Sequence, residues 1–232
     1  MTRTALIVGA GSGISAAFAR ALHADGYRVA LAARATEKLG ALAKDIDALA
    51  LAVDATDAEG VAKLFAEVDR VFGRLDVVLY NASYRTRGPF LDLDPKEVAK
   101  SIEVSAFGGF LVAQAAARRM VKQGDGAIFF TGASASVKGY ALSAPFAMGK
   151  FALRGLAQSM ARELQPKGIH VAHFVIDGGV RNAERGRTEG AGATPDSLLD
   201  PVAIAETYMA VLKQPRSAWS LEVELRPWAE KF

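Results

Sequence analysis

Val8-Gly9-Ala10-Gly11-Ser12-Gly13-Ile14-Ser15 sets three glycines at alternate positions, directly after the apolar run Ala5-Leu6-Ile7-Val8. Backbone without Cβ atoms turns tightly and approaches a bulky anion closely, and the N–H groups and dipole at a helix start favour phosphate. Glycines also mark ordinary turns, but a run that follows a strand and opens a helix has the context of a pyrophosphate cradle. Gly9, Gly11, Ser12, Gly13 and Ile14 are therefore candidate contacts to a dinucleotide. The end of the second strand-like run bears on which one. A carboxylate there holds the ribose hydroxyls of NAD; here Ala33 is followed by Arg34, which can pair with the 2′-phosphate of NADP. The expectation is NADP(H) preferred, with NAD(H) admitted. The competing reading of Arg34 is a solvated residue ahead of the next helix.

Such a turn needs a sheet behind it, and the chain supplies one. Short β-like runs alternate with longer helical segments: strands at Ala5–Val8, Arg28–Ala33, Leu51–Val53, Leu75–Tyr80, Ala127–Thr131, Ile169–Ile176 and Trp219–Leu225. Helices are expected at Ser15–Ala24, Ala35–Leu49, Ala58–Phe72, from Pro95 (capped by Asp94) to about Lys122, at Ser143–Leu164, and after Pro201. The early strands are nearly continuous apolar runs, as strands covered by helices on both faces must be. Repeated βα units predict an α/β fold: an open, doubly wound parallel sheet of Rossmann type in three αβα layers, one domain over residues 1–232. Residues 177–197, rich in Gly, Arg and Glu, are expected to form a mobile loop on the substrate side, either a lid or a plain connection.

Further landmarks resemble the short-chain dehydrogenase/reductase family over nearly the whole chain. Gly9 and Gly13 match its glycine motif, whose third position is Ser15 here. Asp54 and Ala55 resemble its adenine-contacting stretch after strand three, and Tyr80-Asn81-Ala82-Ser83 resembles its Asn-Asn-Ala-Gly motif, which brings Asn81, Ala82 and Ser83 to the cofactor. Lys150 resembles the family's active-site lysine, which binds the nicotinamide ribose and lowers the pKa of a tyrosine four residues earlier. Positions i and i+4 share a helix face, so both groups reach one substrate. In Phe146-Ala147-Met148-Gly149-Lys150 the tyrosine's place is taken by Phe146. The family's serine falls on Ala133, with Ser134 one residue away, and its helix asparagine falls near Ser105. The resemblance thus implies a divergent member lacking the tyrosine.

Reducing a carbonyl develops charge on oxygen that a proton donor must meet, and phenylalanine has no ionisable hydrogen. Loss of a general acid costs about 10²- to 10⁴-fold in rate, so hydride transfer is weakened rather than abolished. Candidate substitute donors are Tyr140, ahead of the Phe146 helix, Tyr84, and Ser134, with a structural role the competing and favoured reading of each. Two readings follow: an NADP-dependent oxidoreductase acting on a carbonyl/alcohol pair or an activated double bond with a non-standard proton donor, or a catalytically silent dinucleotide-binding sensor or interaction module.

Other features narrow the classes. The 28 Lys and Arg and 25 Asp and Glu are interspersed, for a net charge of +3, so nucleic acid and membrane are not expected partners. There is no cysteine, hence no disulfide and no thiolate chemistry. No apolar run approaches the length of a membrane span and no leader is read at Met1-Thr2-Arg3-Thr4, so a cytoplasmic protein with a small-molecule substrate is expected. His170 and His173 lie three apart on a strand and point to opposite faces, and His23 reads as a surface residue; no metal site is expected. Arg181, Arg185 and Arg187 are either an anion clamp or solvated loop charges. Trp219 and Trp228 read as core or subunit-contact residues. The family resemblance implies a homodimer or homotetramer built on the helices near 94–122 and 143–165, where Ala113–Ala117 and Ala141–Gly155 are rich in small residues.

Overall fold

The computed structural model describes residues 2–230. Among these residues seven strands form one sheet: β1 (Thr4–Val8), β2 (Arg28–Ala33), β3 (Leu49–Ala52), β4 (Val77–Tyr80), β5 (Gly126–Thr131), β6 (Ile169–Ile176) and β7 (Glu222–Leu225). Their order is β3-β2-β1-β4-β5-β6-β7, and all pairings are parallel. The helices are α1 (Ile14–Ala24), α2 (Gly40–Asp45), α3 (Ala58–Phe72), α4 (Pro95–Ile102), α5 (Gly108–Gln123), α6 (Ala144–Leu164) and α7 (Pro201–Leu212). The expected αβα architecture is present.

Strand periodicity sorts the core into two layers. On one face Ala5, Ile7, Leu31 and Leu79 meet Phe18 and Leu22 of α1 and Ile204 and Tyr208 of α7. On the other, Leu6, Val8, Val78 and Tyr80 meet Leu64 and Phe65 of α3, Val112 and Ala116 of α5, and Leu153 and Ala157 of α6. β1, β4 and β6 are buried along their whole length, which explains why their sequences show no alternation. Burying one such side chain contributes roughly 1.5–3 kcal/mol.

Helix starts follow local chemistry. Asp57, Asp94 and Asp200 each accept a hydrogen bond from the backbone N–H two residues on, and Pro95 and Pro201 follow the last two caps. Several boundaries differ from expectation; β4, for one, begins at Val77 rather than Leu75. Ala35–Leu49 is not one helix: a 3₁₀ turn at Thr36–Leu39 leads into the short α2, and Asp47, at φ 47°, ends the helical path so that Leu49 can pair with Ala30 of β2. The segment from Pro95 to Gln123 is broken by a π-helical turn at Glu103–Phe107. The last strand begins at Glu222 rather than Trp219.

The π turn is held from below. The Tyr80 hydroxyl donates to the Val104 carbonyl, and Gly108 and Gly149 let α5 and α6 approach Tyr80, Ala55 and Ser105 where a Cβ would overlap them. This fixes Ser105, on the turn, against the start of α6.

Candidate active site

β2 follows β1 to one side of the sheet and β4 lies on the other, so the chain reverses direction between β1 and β4. A cleft of about 810 Å³ opens at the carboxyl ends of these strands. Ligands of open parallel sheets sit at such a reversal.

The glycine turn forms one wall. Gly9 has φ 82°, and a Cβ there would overlap the backbone of Ala82, so the turn lies directly on the segment after β4. Asn81 locks this contact: its backbone N–H donates to the Val8 carbonyl at 2.8 Å and its side chain to the Gly9 carbonyl at 3.1 Å. Ser15, where the family motif has its third glycine, is buried, and its hydroxyl accepts the Gly11 N–H at 2.9 Å. It therefore braces the turn from inside. α1 starts at Gly13 without a side-chain cap, leaving its first N–H groups to an anion.

The other predicted contacts line the same cleft: Gly9, Gly11, Ser12, Ile14, Arg34, Asp54, Ala55, Asn81, Ala82 and Ser83. Gly13 lies in a smaller adjoining hollow with Asn182, Arg185 and Arg187. The Asp54 carboxylate accepts the Thr56 N–H at 2.9 Å and the Thr56 hydroxyl at 2.8 Å, which hold its pKa below the usual carboxylate value. Two residues at this end escaped the sequence reading. Lys38 joins Arg34 at the β2 side, and Asn182 donates to the Ser12 hydroxyl at 3.2 Å from the loop after β6. A cation four residues after Arg34 was a readable signal for Lys38; nothing local marked Asn182.

Ala133, Ser134, Phe146 and Lys150 line the deep end. Ser136 accepts the Ala133 N–H at 3.1 Å and shapes the turn that presents Ser134. Lys150 is buried and its ammonium donates to the Thr131 carbonyl at 2.7 Å. Burial, with help from the Arg85 charge, pulls its pKa down to about 8. Phe146 is buried too, with the Lys150 Nζ 5.8 Å from its ring centroid.

The remaining candidates stand apart. Ser105 is fully buried behind the cleft wall and packs against Gly149; its hydroxyl has no hydrogen-bond partner among the described residues. Tyr140 is 46% exposed, lies outside the cleft lining and stacks under Lys138. Tyr84 also lies outside, and its hydroxyl bonds the Glu97 carboxylate, which raises its pKa and makes it a poorer acid. Arg181 is paired with Glu189, Asp196 and Asp200, which hold residues 180–200 together, while Arg185 lines the cleft. His170 stacks on Trp219, and His173 is buried on the opposite face; His23 is exposed. Trp228, 75% exposed, is not a core residue. No group of three or more metal-binding side chains occurs among the described residues.

Among the described residues, Arg34, Lys38 and Arg185 line the glycine-turn end of the cleft against only Asp54 and Glu184. Such a lining draws in a polyanion, and the uncapped start of α1 offers it backbone N–H groups. The residues fit a dinucleotide.

Known proteins agree. The family model described as short chain dehydrogenase matches residues 3–186. An uncharacterized oxidoreductase of Staphylococcus aureus (strain USA300) is 31% identical over 231 residues, covering 97% of each chain. Among solved structures, a short-chain dehydrogenase from Rhodopseudomonas palustris is 35% identical with a TM-score of 0.83, covering 97% of this chain and 99% of that one. An alcohol dehydrogenase from the archaeon Thermococcus sibiricus, complexed with 5-hydroxy-NADP, is 28% identical with a TM-score of 0.85, covering 100% and 99%. With its parallel sheet, its glycine turn and a family match over most of its length, this chain belongs to the short-chain dehydrogenase family.

Proposed function

We propose that this chain is an NADP(H)-dependent oxidoreductase that interconverts a carbonyl compound and its alcohol, and that Phe146 stands where the family's tyrosine would be. The observation that carries this reading is that the glycine turn and the buried Lys150 line one cleft. The turn and the α1 start would hold the diphosphate, Asp54, Ala55 and Asn81 the adenosine side, and Lys150 the nicotinamide ribose. Arg34 and Lys38 at the β2 end support the 2′-phosphate form, since the residue directly after β2 is Arg34 rather than a carboxylate. A nicotinamide dinucleotide bound there supplies hydride transfer; the protein must position the carbonyl and handle the proton.

Phe146 cannot give a proton. Lys150 holds one at Nζ, and a pKa of about 8 lies near neutral pH, where a general acid is most effective. Ser134 can donate a hydrogen bond to the substrate oxygen from the same wall. Tyr140 would have to move to enter the cleft, so Lys150 is the favoured donor. The segment 177–197 follows β6 beside the cleft and serves as the substrate-side loop. A second reading, a silent dinucleotide sensor, draws support from the absence of any tyrosine in the described cleft lining.

The experiment is calorimetric titration with NADPH and NADH, followed by deuteride transfer from labelled NADPH across a carbonyl panel. Transfer supports the enzyme. Tight binding without transfer supports the sensor, and no uptake of either nucleotide removes both.

We also infer a homo-oligomer. Phe107 and Phe110 stack at 6.3 Å on the outside of α5 and the π turn, and Met148 and Phe151 are exposed on neighbouring α6. A second copy is the natural cover for such an apolar face. No described helix is long and apolar enough to cross a membrane. A cytoplasmic setting and a small-molecule substrate, without nucleic acid or membrane partners, complete the reading.

A further inference from the structure

Arg85 lies between β4 and α4 and lines the cleft beside Ser134, Phe146 and Lys150. Its guanidinium carbon is 4.5 Å from the centroid of the Phe146 ring. An aromatic face attracts a cation but accepts no hydrogen bond in the plane of the guanidinium. Among the described residues no carboxylate pairs with Arg85; the charges acting on it, those of Arg87, Arg187 and Lys150, are all positive. A guanidinium does not lose its proton in a protein, so a positive charge with five N–H donors stays in the cleft.

The other cations of the cleft have different work. Arg34, Lys38 and Arg185 sit at the glycine-turn end, and Lys150 is bonded to Thr131. Arg85 is thus the donor set left over at the end where Ser134 and Lys150 would meet a substrate.

We propose that Arg85, resting on Phe146, binds an oxyanion group of the substrate, a carboxylate or a phosphate, so that the carbonyl compound handled here is itself an anion. This rests on the oxidoreductase reading above. Phe146 then has a positive role: it is the platform that holds the guanidinium where a planar fork can grip two oxygens.

The test uses the full chain in two stages. NADP⁺ is first titrated calorimetrically into wild type, Arg85→Met and Arg85→Lys. The loaded proteins are then titrated with oxamate, with its uncharged counterpart oxamide, and with inorganic phosphate. Loaded wild type should take up oxamate or phosphate but not oxamide, and which anion binds assigns the group. Arg85→Met should weaken that uptake about ten- to a hundredfold, with Arg85→Lys in between, while NADP⁺ affinity holds within about twofold. The proposal is overturned if loaded wild type takes up neither anion, if Arg85→Met binds them as wild type does, or if NADP⁺ affinity falls in step. Failure of wild type to take up NADP⁺ at the first stage identifies the oxidoreductase reading as what failed, and the proposal falls with it.

Discussion

Lys150 donates from a fully buried ammonium to the Thr131 carbonyl at 2.7 Å, at the carboxyl end of β5. The bond fixes where its proton is held, and burial sets how readily it is given up. Carbonyl reduction that draws this proton should lose kcat/KM as pH rises through about 8, the pKa burial imposes. Removing the neighbouring positive charge with Arg85→Met should move that limb to higher pH, because like charge is part of what lowers the value. A profile flat from pH 7 to 9.5 would exclude Lys150 as donor.

Phe146→Tyr places a phenol four residues before Lys150 on the same helix face. Reduction of a turned-over carbonyl should quicken by about tenfold or more, the lower part of what a general acid supplies. Single-turnover rates measure this; an unchanged rate means another group already delivers the proton adequately.

Arg34→Ala should weaken NADPH binding about tenfold, the scale of one charge-assisted contact, and leave NADH within about twofold. Equal losses for both nucleotides would mean that Arg34 does not read the 2′-phosphate.

Gly9→Ala puts a methyl group into the Ala82 backbone at a left-handed φ of 82°. Strain and overlap together should cost about 2–4 kcal/mol of stability and abolish NADPH uptake. Denaturant melts and calorimetry would show both effects, and an unaltered midpoint would contradict the close approach.

His173 is wholly buried, and burial, aided by Lys150, lowers its pKa to about 4. Its folded value lies below the unfolded one near 6.5, so the folded chain resists protonation. Stability should fall as pH drops from about 6.5 to about 4, by up to roughly 3 kcal/mol. His173→Leu should flatten that part of the melting profile even if it lowers the whole curve; an equally steep fall would place the acid sensitivity elsewhere.

The glycine turn, the β1 and β6 strands and Lys150 were legible because each is local: a composition run, an apolar stretch, a spacing of four. Ala35–Leu49 misled because alanine, leucine and lysine favour a helix, while the pairing of Leu49 with Ala30 demands a strand. Helical periodicity continued through Glu103–Phe107, so the π turn was invisible without Tyr80, which meets it from another element. Arg85 was missed for a related reason. Its position in a loop was plain, but the direction of a long flexible side chain depends on the ring beneath it, and that ring is 61 positions away in the chain. Tyr140 was near in sequence and remote in space.

β7 closes one border of the sheet with Glu222 and Glu224 exposed along it, and the Arg154 guanidinium grips Glu222 from α6 through two bonds of 2.6 and 2.8 Å. Arg226 pairs likewise with Glu224, so this border presents ion-paired carboxylates beside backbone groups that no further strand of the sheet covers. A short edge strand that carries charge is a poor template for pairing with another chain, so this border resists aggregation by strand addition.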